Sequence, residues 1–128
     1  MYNYKQLNMR RIYNVLDNCK YCRLGVSEND QAYIIPMFYS YEQEWHRLVF
    51  TLMSQEYGQK TSFLNSNKKV TLEFELPNRN GIDSVIAFGY AQTMKPHIDD
   101  YQNCGPNGTV IKVIASNISG RSYDCFLQ

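Results

Sequence analysis

The stretch from Phe50 to Lys60 ends a predicted strand at Ser54, passes Gly58 and enters a predicted helix at Lys60. Ser54 offers a hydroxyl, Gly58 permits close backbone approach, and Lys60 stands where the free amides of a helix start favour negative charge. A phosphate group fits that pattern. Taken alone, the same three residues also serve as ordinary helix capping beside a solvated lysine.

Cys19 and Cys22 have the Cys-x-x-Cys spacing of redox pairs and of half a zinc site. The pair follows a helix and enters a strand, so it lacks the helix N-terminus that lowers a thiol pKa. Cys104 and Cys125 are too far apart to complete a zinc site, so ordinary thiols and no metal are expected. His46 and His97 stand in separate turns, with no Ser or Cys and acidic partner in the order of a hydrolytic triad. Trp45, beside His46, reads as a core or interface anchor.

Positioning these residues falls to a helix followed by strands. Met9, Ile12, Tyr13 and Leu16 fall at the three- and four-residue spacing of one helix face. Tyr21 to Val26 reads as a strand, and Ser27 to Asp30 supplies turn chemistry before a second strand from Ala32 to Tyr41. Pro36 cannot donate a ladder hydrogen bond, which puts that strand at an edge or a bulge and leaves neighbouring backbone groups for a ligand. A third strand, Arg47 to Leu52, precedes a short helix from Lys60 to Asn67. Lys69 to Leu76 and Asp83 to Met94 form a hairpin about Asn78–Gly81, whose Asn-Gly pair tolerates positive φ. Residues 95–108 read as loop, and Thr109 to Ala115 as a last strand. Six strands with two short helices, too close in sequence for helical crossovers, predict a mainly-β antiparallel barrel, closed or nearly so.

The 128 residues fit one domain, 1–128, with 11 Tyr and 6 Phe adding to the β bias. A formal charge of +1 gives no long-range field for a polyanion, so neither nucleic acid nor an anionic membrane surface is an expected partner. No run approaches the roughly 20 apolar residues of a membrane span, and the start lacks the apolar core of a signal peptide. The expectation is a cytoplasmic protein with reduced thiols.

Several segments in order resemble one family. They are Val15 to Asp17 with Tyr21 to Gly25; Ile35, Pro36, Met37, Phe38, Tyr39 with Tyr41; Ser54, Gly58, Lys60, Asn67 and Val70; and Ser84, Val85, Ile86 with Gly89 and Ala91. Together they resemble the pyridoxamine 5′-phosphate oxidase-related, FMN-binding split-barrel superfamily, and within it the nitroimidazole-resistance type. The resemblance spans about residues 12 to 120. It implies a six-stranded split barrel, a homodimer, and FMN at the subunit interface with a small-molecule substrate. It also implies that Ser54 and Lys60 bind the phosphate, that Pro36, Met37, Phe38 and Tyr39 run beneath the isoalloxazine, and that Met53 and Ser84 complete the pocket.

The chain departs from that pattern at three places. Met53 stands where many members of the type carry a His, so no general acid is implied there. The helical stretch that commonly precedes the last strand is expected to be replaced by the loop from Pro96 to Gly108. The C-terminal Arg-and-His substrate signature of true pyridoxamine phosphate oxidases has no counterpart in Gly120 to Asp124. The resemblance therefore implies an FMN-dependent oxidoreductase acting on a small planar electrophile, with nitroimidazole-like aromatics as one substrate class. The alternatives are a non-catalytic split barrel for flavin storage, sensing or haem capture, and a barrel that has lost its cofactor.

Overall fold

The computed structural model describes residues 3–54 and 59–124, the side chains at 3 and 59–61 excepted. Helix α1, Met9–Asn18, starts at Asn8, whose side-chain oxygen accepts from the Arg11 amide at 2.9 Å, and turns Ile12, Val15 and Leu16 inward. Strands β2, Cys22–Glu28, and β3, Gln31–Met37, are joined by Asn29 and Asp30 at φ 49° and 64°, the left-handed pair that matches the twist of a two-residue hairpin. Strands β4, Tyr39–Glu44, and β5, Arg47–Ser54, meet at a turn where Trp45 has φ 57° and is 94% exposed. Helix α2, Gln59–Ser66, leads to β6, Lys69–Pro77, and β7, Gly81–Met94. A 3₁₀ turn at Ile98–Asp100 and a one-turn helix α3, Tyr101–Cys104, precede β8, Thr109–Asp124. A short β1, Asn3–Gln6, pairs with the far end of β8.

All eight strands form one antiparallel sheet, seven of them in the order β3-β2-β6-β7-β8-β5-β4 with β1 added beside β8. Its two terminal strands, β3 and β4, are separated in sequence by Phe38 alone. The sheet must therefore curl until its ends meet, although no ladder joins them. This is the expected mainly-β split barrel, with eight strands rather than six.

The difference in count has two sources. The segment from Ala32 to Tyr41, expected as one strand, is broken at Phe38 into β3 and β4, which lie at opposite sheet ends. Polar β1 shows no apolar alternation and exists through its pairing with β8. The last strand runs past Ala115 to Asp124, its register shifting where Phe88 and Gly89 face Asn117 and Ala115. The expected loop from Pro96 to Gly108 holds the two short helical turns. The hairpin at Asn78–Gly81 closes as expected, with the Asn78 amide donating to the Gly81 carbonyl at 2.9 Å. Positive φ belongs to the Asn29–Asp30 turn instead.

Phe50, Phe74, Leu24, Leu52, Leu72, Val85 and Val113 fill the interior, with Phe50 and Phe74 at 5.2 Å between ring centroids. The helices sit at opposite ends of the β2–β6 ladder. At one end Arg11 of α1 grips buried Asp83 through two hydrogen bonds, at 2.9 and 3.2 Å, and the Cys19 thiol donates to the Glu75 carbonyl at 2.7 Å. At the other, α2 packs Phe63 on Tyr33, and Asn67 donates to the Ser27 hydroxyl at 3.1 Å. Among the described residues no helix is long and apolar enough to cross a membrane.

Candidate functional site

The β4–β5 ladder brings two of the sequence-predicted segments together. Tyr39 pairs with Leu52 as the last pair before the Phe38 break. Phe38 and Met53 flank that last pair in sequence, and strands β3 and β5 on either side of the break also touch. Phe38 is exposed, while Met37 and Ser54 are buried. Ser54 ends β5 opposite Thr109, and α2 begins at Gln59. Pro36, Met37, Phe38, Tyr39, Met53 and Ser54 thus share one corner of the split barrel, at the approach to α2.

The corner is rigid because Tyr39 is anchored behind it. Its ring packs edge-on against Phe74 at 4.9 Å, and its hydroxyl donates to the Leu16 carbonyl at 2.5 Å. Burial pushes its phenol pKa up, so it stays a donor. Both Met37 and Tyr39 turn their side chains into the core, leaving backbone and the Phe38 ring to face outward. At α2, no acidic residue occupies the first turn, and a helix start carries the positive end of the helix dipole. The backbone amides of that turn have no helical acceptors. This donor set suits an anion. Gly58 lies outside the described residues, as does the side chain of Lys60.

Ser84 is not at this corner. It lies outward on β7, where its hydroxyl donates to Glu73 at 3.2 Å. Three strand spacings, about 14 Å at roughly 4.8 Å each, separate β7 from β3 and Pro36.

A concavity lies on that same outer face. A groove of about 660 Å³ is floored by Gly25 and Thr71 and walled by Ile34, Phe88 and Tyr90, with Asn67 and Lys69 at one end. Cross-strand register explains it, because Ile34, Gly25, Thr71 and Phe88 form one row and Gly25 leaves a gap in it. Among the described residues, none of the site residues named from sequence lines this groove. The missed signal was in β7, where Ile86, Phe88 and Tyr90 alternate with Val85, Ala87 and Ala91. A strand apolar on both faces calls for cover on both, yet the outer three are exposed.

The remaining candidates behave as ordinary side chains. Cys19, Cys22 and Cys104 are free thiols, and Cys125 lies outside the described residues. Burial pushes the Cys22 thiol up to about 12, far from a nucleophile. No group of metal-binding side chains occurs among the described residues. Trp45 is not a core anchor, since the β4–β5 turn holds it in solvent.

The pyridoxamine 5′-phosphate oxidase family profile matches residues 8–102. This chain belongs to that family. No curated protein matches the sequence. The family fold recurs in an FAD-binding protein from Mesorhizobium loti, with TM-score 0.79, 16% identity, and coverage of 98% of this chain and 100% of that one. It recurs in a candidate 5-nitroimidazole antibiotic resistance protein from Bacteroides thetaiotaomicron, with TM-score 0.80, 16% identity, and coverage of 96% and 89%. An FAD-binding protein from Mycobacterium smegmatis superposes with TM-score 0.70 at 15% identity over 96% of this chain and all of that one. At such identities the likeness establishes the split barrel, while chemistry has to be argued from the site.

Proposed function

We propose that this chain is a flavoprotein that holds FMN at the Phe38–Met53 corner between two copies of itself, and acts as an oxidoreductase on a small planar electrophile such as a nitroimidazole-type aromatic. The observation that carries the reading is the Tyr39–Leu52 pair of the β4–β5 ladder, beside which Phe38 and Met53 follow in sequence where the chain leads on to α2. Family membership and the FAD-binding neighbours support a flavin. The phosphate of FMN rather than a longer dinucleotide suits a single short helix start.

In this reading the α2 amides, Ser54 and Lys60 hold the phosphate. Backbone groups of residues 36–39 meet the ring edge, and Phe38 and Met53 supply apolar contact. The bound flavin supplies the electron or hydride transfer. The chain holds it, excludes water from one face and leaves the other open. Ser84 reaches the same flavin only from the second copy, because in its own chain it is three strands away.

The second copy has a surface to occupy. Ile86, Phe88 and Tyr90 of β7, and Ile34 and Pro36 of β3 beyond β6 and β2, expose apolar side chains on one face of the sheet, and exposed apolar groups gathered on one face mark association sites. With a chain charge of +1, two copies do not strongly repel.

A non-catalytic flavin binder is favoured by one observation: Met37, Phe38 and Met53 carry no titratable proton, and the Tyr39 hydroxyl is bonded away from the corner. The test is an absorption spectrum of the purified protein reconstituted with FMN. Bleaching by NAD(P)H and recovery on adding a nitroaromatic supports the enzyme. A retained flavin that neither reductant nor acceptor touches supports the binder, and failure to retain FMN refutes both.

A further inference from the structure

We propose that pairing of two copies across the outer face of β2, β6 and β7 takes up protons, so that the dimer tightens as pH falls. This rests on the pairing stated above and adds its regulation.

At the centre of that face one cation serves two carboxylates. Arg23 Nη1 lies 2.8 Å from Glu73 Oε1 and 3.4 Å from Glu75 Oε2. The Ser84 hydroxyl donates to the other Glu73 oxygen at 3.2 Å. The trio carries a surplus negative charge set among apolar groups. Ile86 is directly opposite Glu73 on β7, Pro36 is opposite Arg23 on β3, and the Ile34–Gly25–Thr71–Phe88 row runs alongside. In the single chain water stabilises the surplus, since Glu75 keeps 39% of its side chain exposed.

Of the other charged groups on this face, Lys69 stands at the end of the groove, two outward positions along β6 from Glu73, and forms no ion pair with either carboxylate. Tyr21 stacks under Arg23, with the guanidinium 5.8 Å from its ring centroid. The half-buried Cys19 thiol, at the end of α1, is held protonated chiefly by burial. Arg121 on β8, paired with Ser84, lies over the Tyr4 ring at 4.5 Å. Among the described residues Arg23 is the sole cation in an ion pair with either carboxylate.

Covering this face removes the water. A buried surplus charge is costly, and protonating one carboxyl removes it. The direction is already set in the single chain: burial raises the Glu73 carboxyl, Arg23 opposes, and neighbouring Glu75 raises it again. Cover adds burial, so the carboxyl pKa is higher in the dimer than in the free chain. The dimer therefore binds more protons, association strengthens as pH falls through the window between those two values, and it weakens as pH rises through the same window. One proton per chain is two per dimer, which gives a limiting slope of about 100-fold in the association constant per pH unit.

Sedimentation equilibrium from about pH 4.5, the ordinary carboxylate range, to neutrality tests this. The parent chain is expected to dissociate progressively as pH rises. Glu73→Gln and Glu75→Gln, each of which leaves Arg23 with one carboxylate, should both pair with little pH dependence and as tightly at neutral pH as the parent does in acid. A parent dimer of constant affinity across the range overturns the proton linkage and leaves pairing intact. A parent-like slope in both variants overturns it equally. A chain that stays monomeric at every pH removes the pairing as well.

Discussion

Gly25 and Gly89 both border the outer groove, yet alanine at the two positions should act in opposite ways. A Cβ on Gly89 would lie 2.4 Å from the Ile114 carbonyl oxygen and 3.0 Å from its carbon, about 1 Å inside ordinary contact. The obstacle is the backbone of the paired strand, so it cannot swing aside; β7 and β8 must separate at the register shift between Phe88 and Gly89. Overpacking of this kind costs about 1–3 kcal/mol, and a backbone obstacle puts Gly89→Ala near the upper end, about 3 kcal/mol. For a chain of this size that is a fall in Tm of roughly 12 °C. On Gly25 the nearest atom is the Thr71 oxygen at 3.5 Å, an ordinary contact. Gly25→Ala should therefore be neutral or stabilising by about 0.4–1 kcal/mol, through the reduced freedom of the unfolded chain. Its methyl group intrudes on the groove, so a fold-neutral change should weaken pairing. Urea and thermal melts followed by circular dichroism read the stabilities. Equal melting of Gly89→Ala and the parent, or an equal loss in both variants, would refute the close-packed bulge and the open groove floor.

Lys60→Ala should weaken FMN binding by about 1.5–3 kcal/mol, the scale of a hydrogen bond to a charged group, while riboflavin, which lacks the phosphate, binds as before; fluorescence titration of both ligands checks this. Tyr39→Phe removes the hydroxyl donated to the Leu16 carbonyl and should cost about 1 kcal/mol in urea melts, with the ring packing on Phe74 retained. The Thr109 hydroxyl oxygen is buried without a partner, so Thr109→Val is expected to leave stability unchanged or raise it by about 1 kcal/mol; a large drop would show that the hydroxyl is in use. With its thiol pKa pushed to about 12, Cys22 should resist alkylation in the native chain at mildly alkaline pH and react only on unfolding, as mass spectrometry would reveal.

What the sequence made legible was the periodic part of the fold. The Ile12–Leu16 face, the β2–β3 turn and the β6–β7 hairpin follow from local spacing and turn chemistry alone. The Phe38 break does not, because Ala32 to Tyr41 is uniformly strand-forming and only sheet order separates its halves. The far half of β8 was invisible for a related reason: Ser116, Asn117, Ser119 and Ser122 carry no apolar alternation, and pairing with β7 and β1 holds them extended. At the site, the corner residues were reached through segment order, while Gly25, Arg23 and Glu73 acquire meaning only when three strands lie side by side. Ser84 illustrates the limit, since its neighbour in space is Glu73 on β6 rather than the corner.

The one-residue link at Phe38 joins strands at the two margins of a single sheet. It works as a covalent hem: the margins cannot drift apart without the chain itself being cut. Circular permutation that opened the backbone there and tied the old termini together would keep every ladder yet free both margins, creating unprotected edges ready to pair with other molecules. A permuted chain should thus aggregate where its parent does not, although it has the same amino acids and the same hydrogen-bonded register.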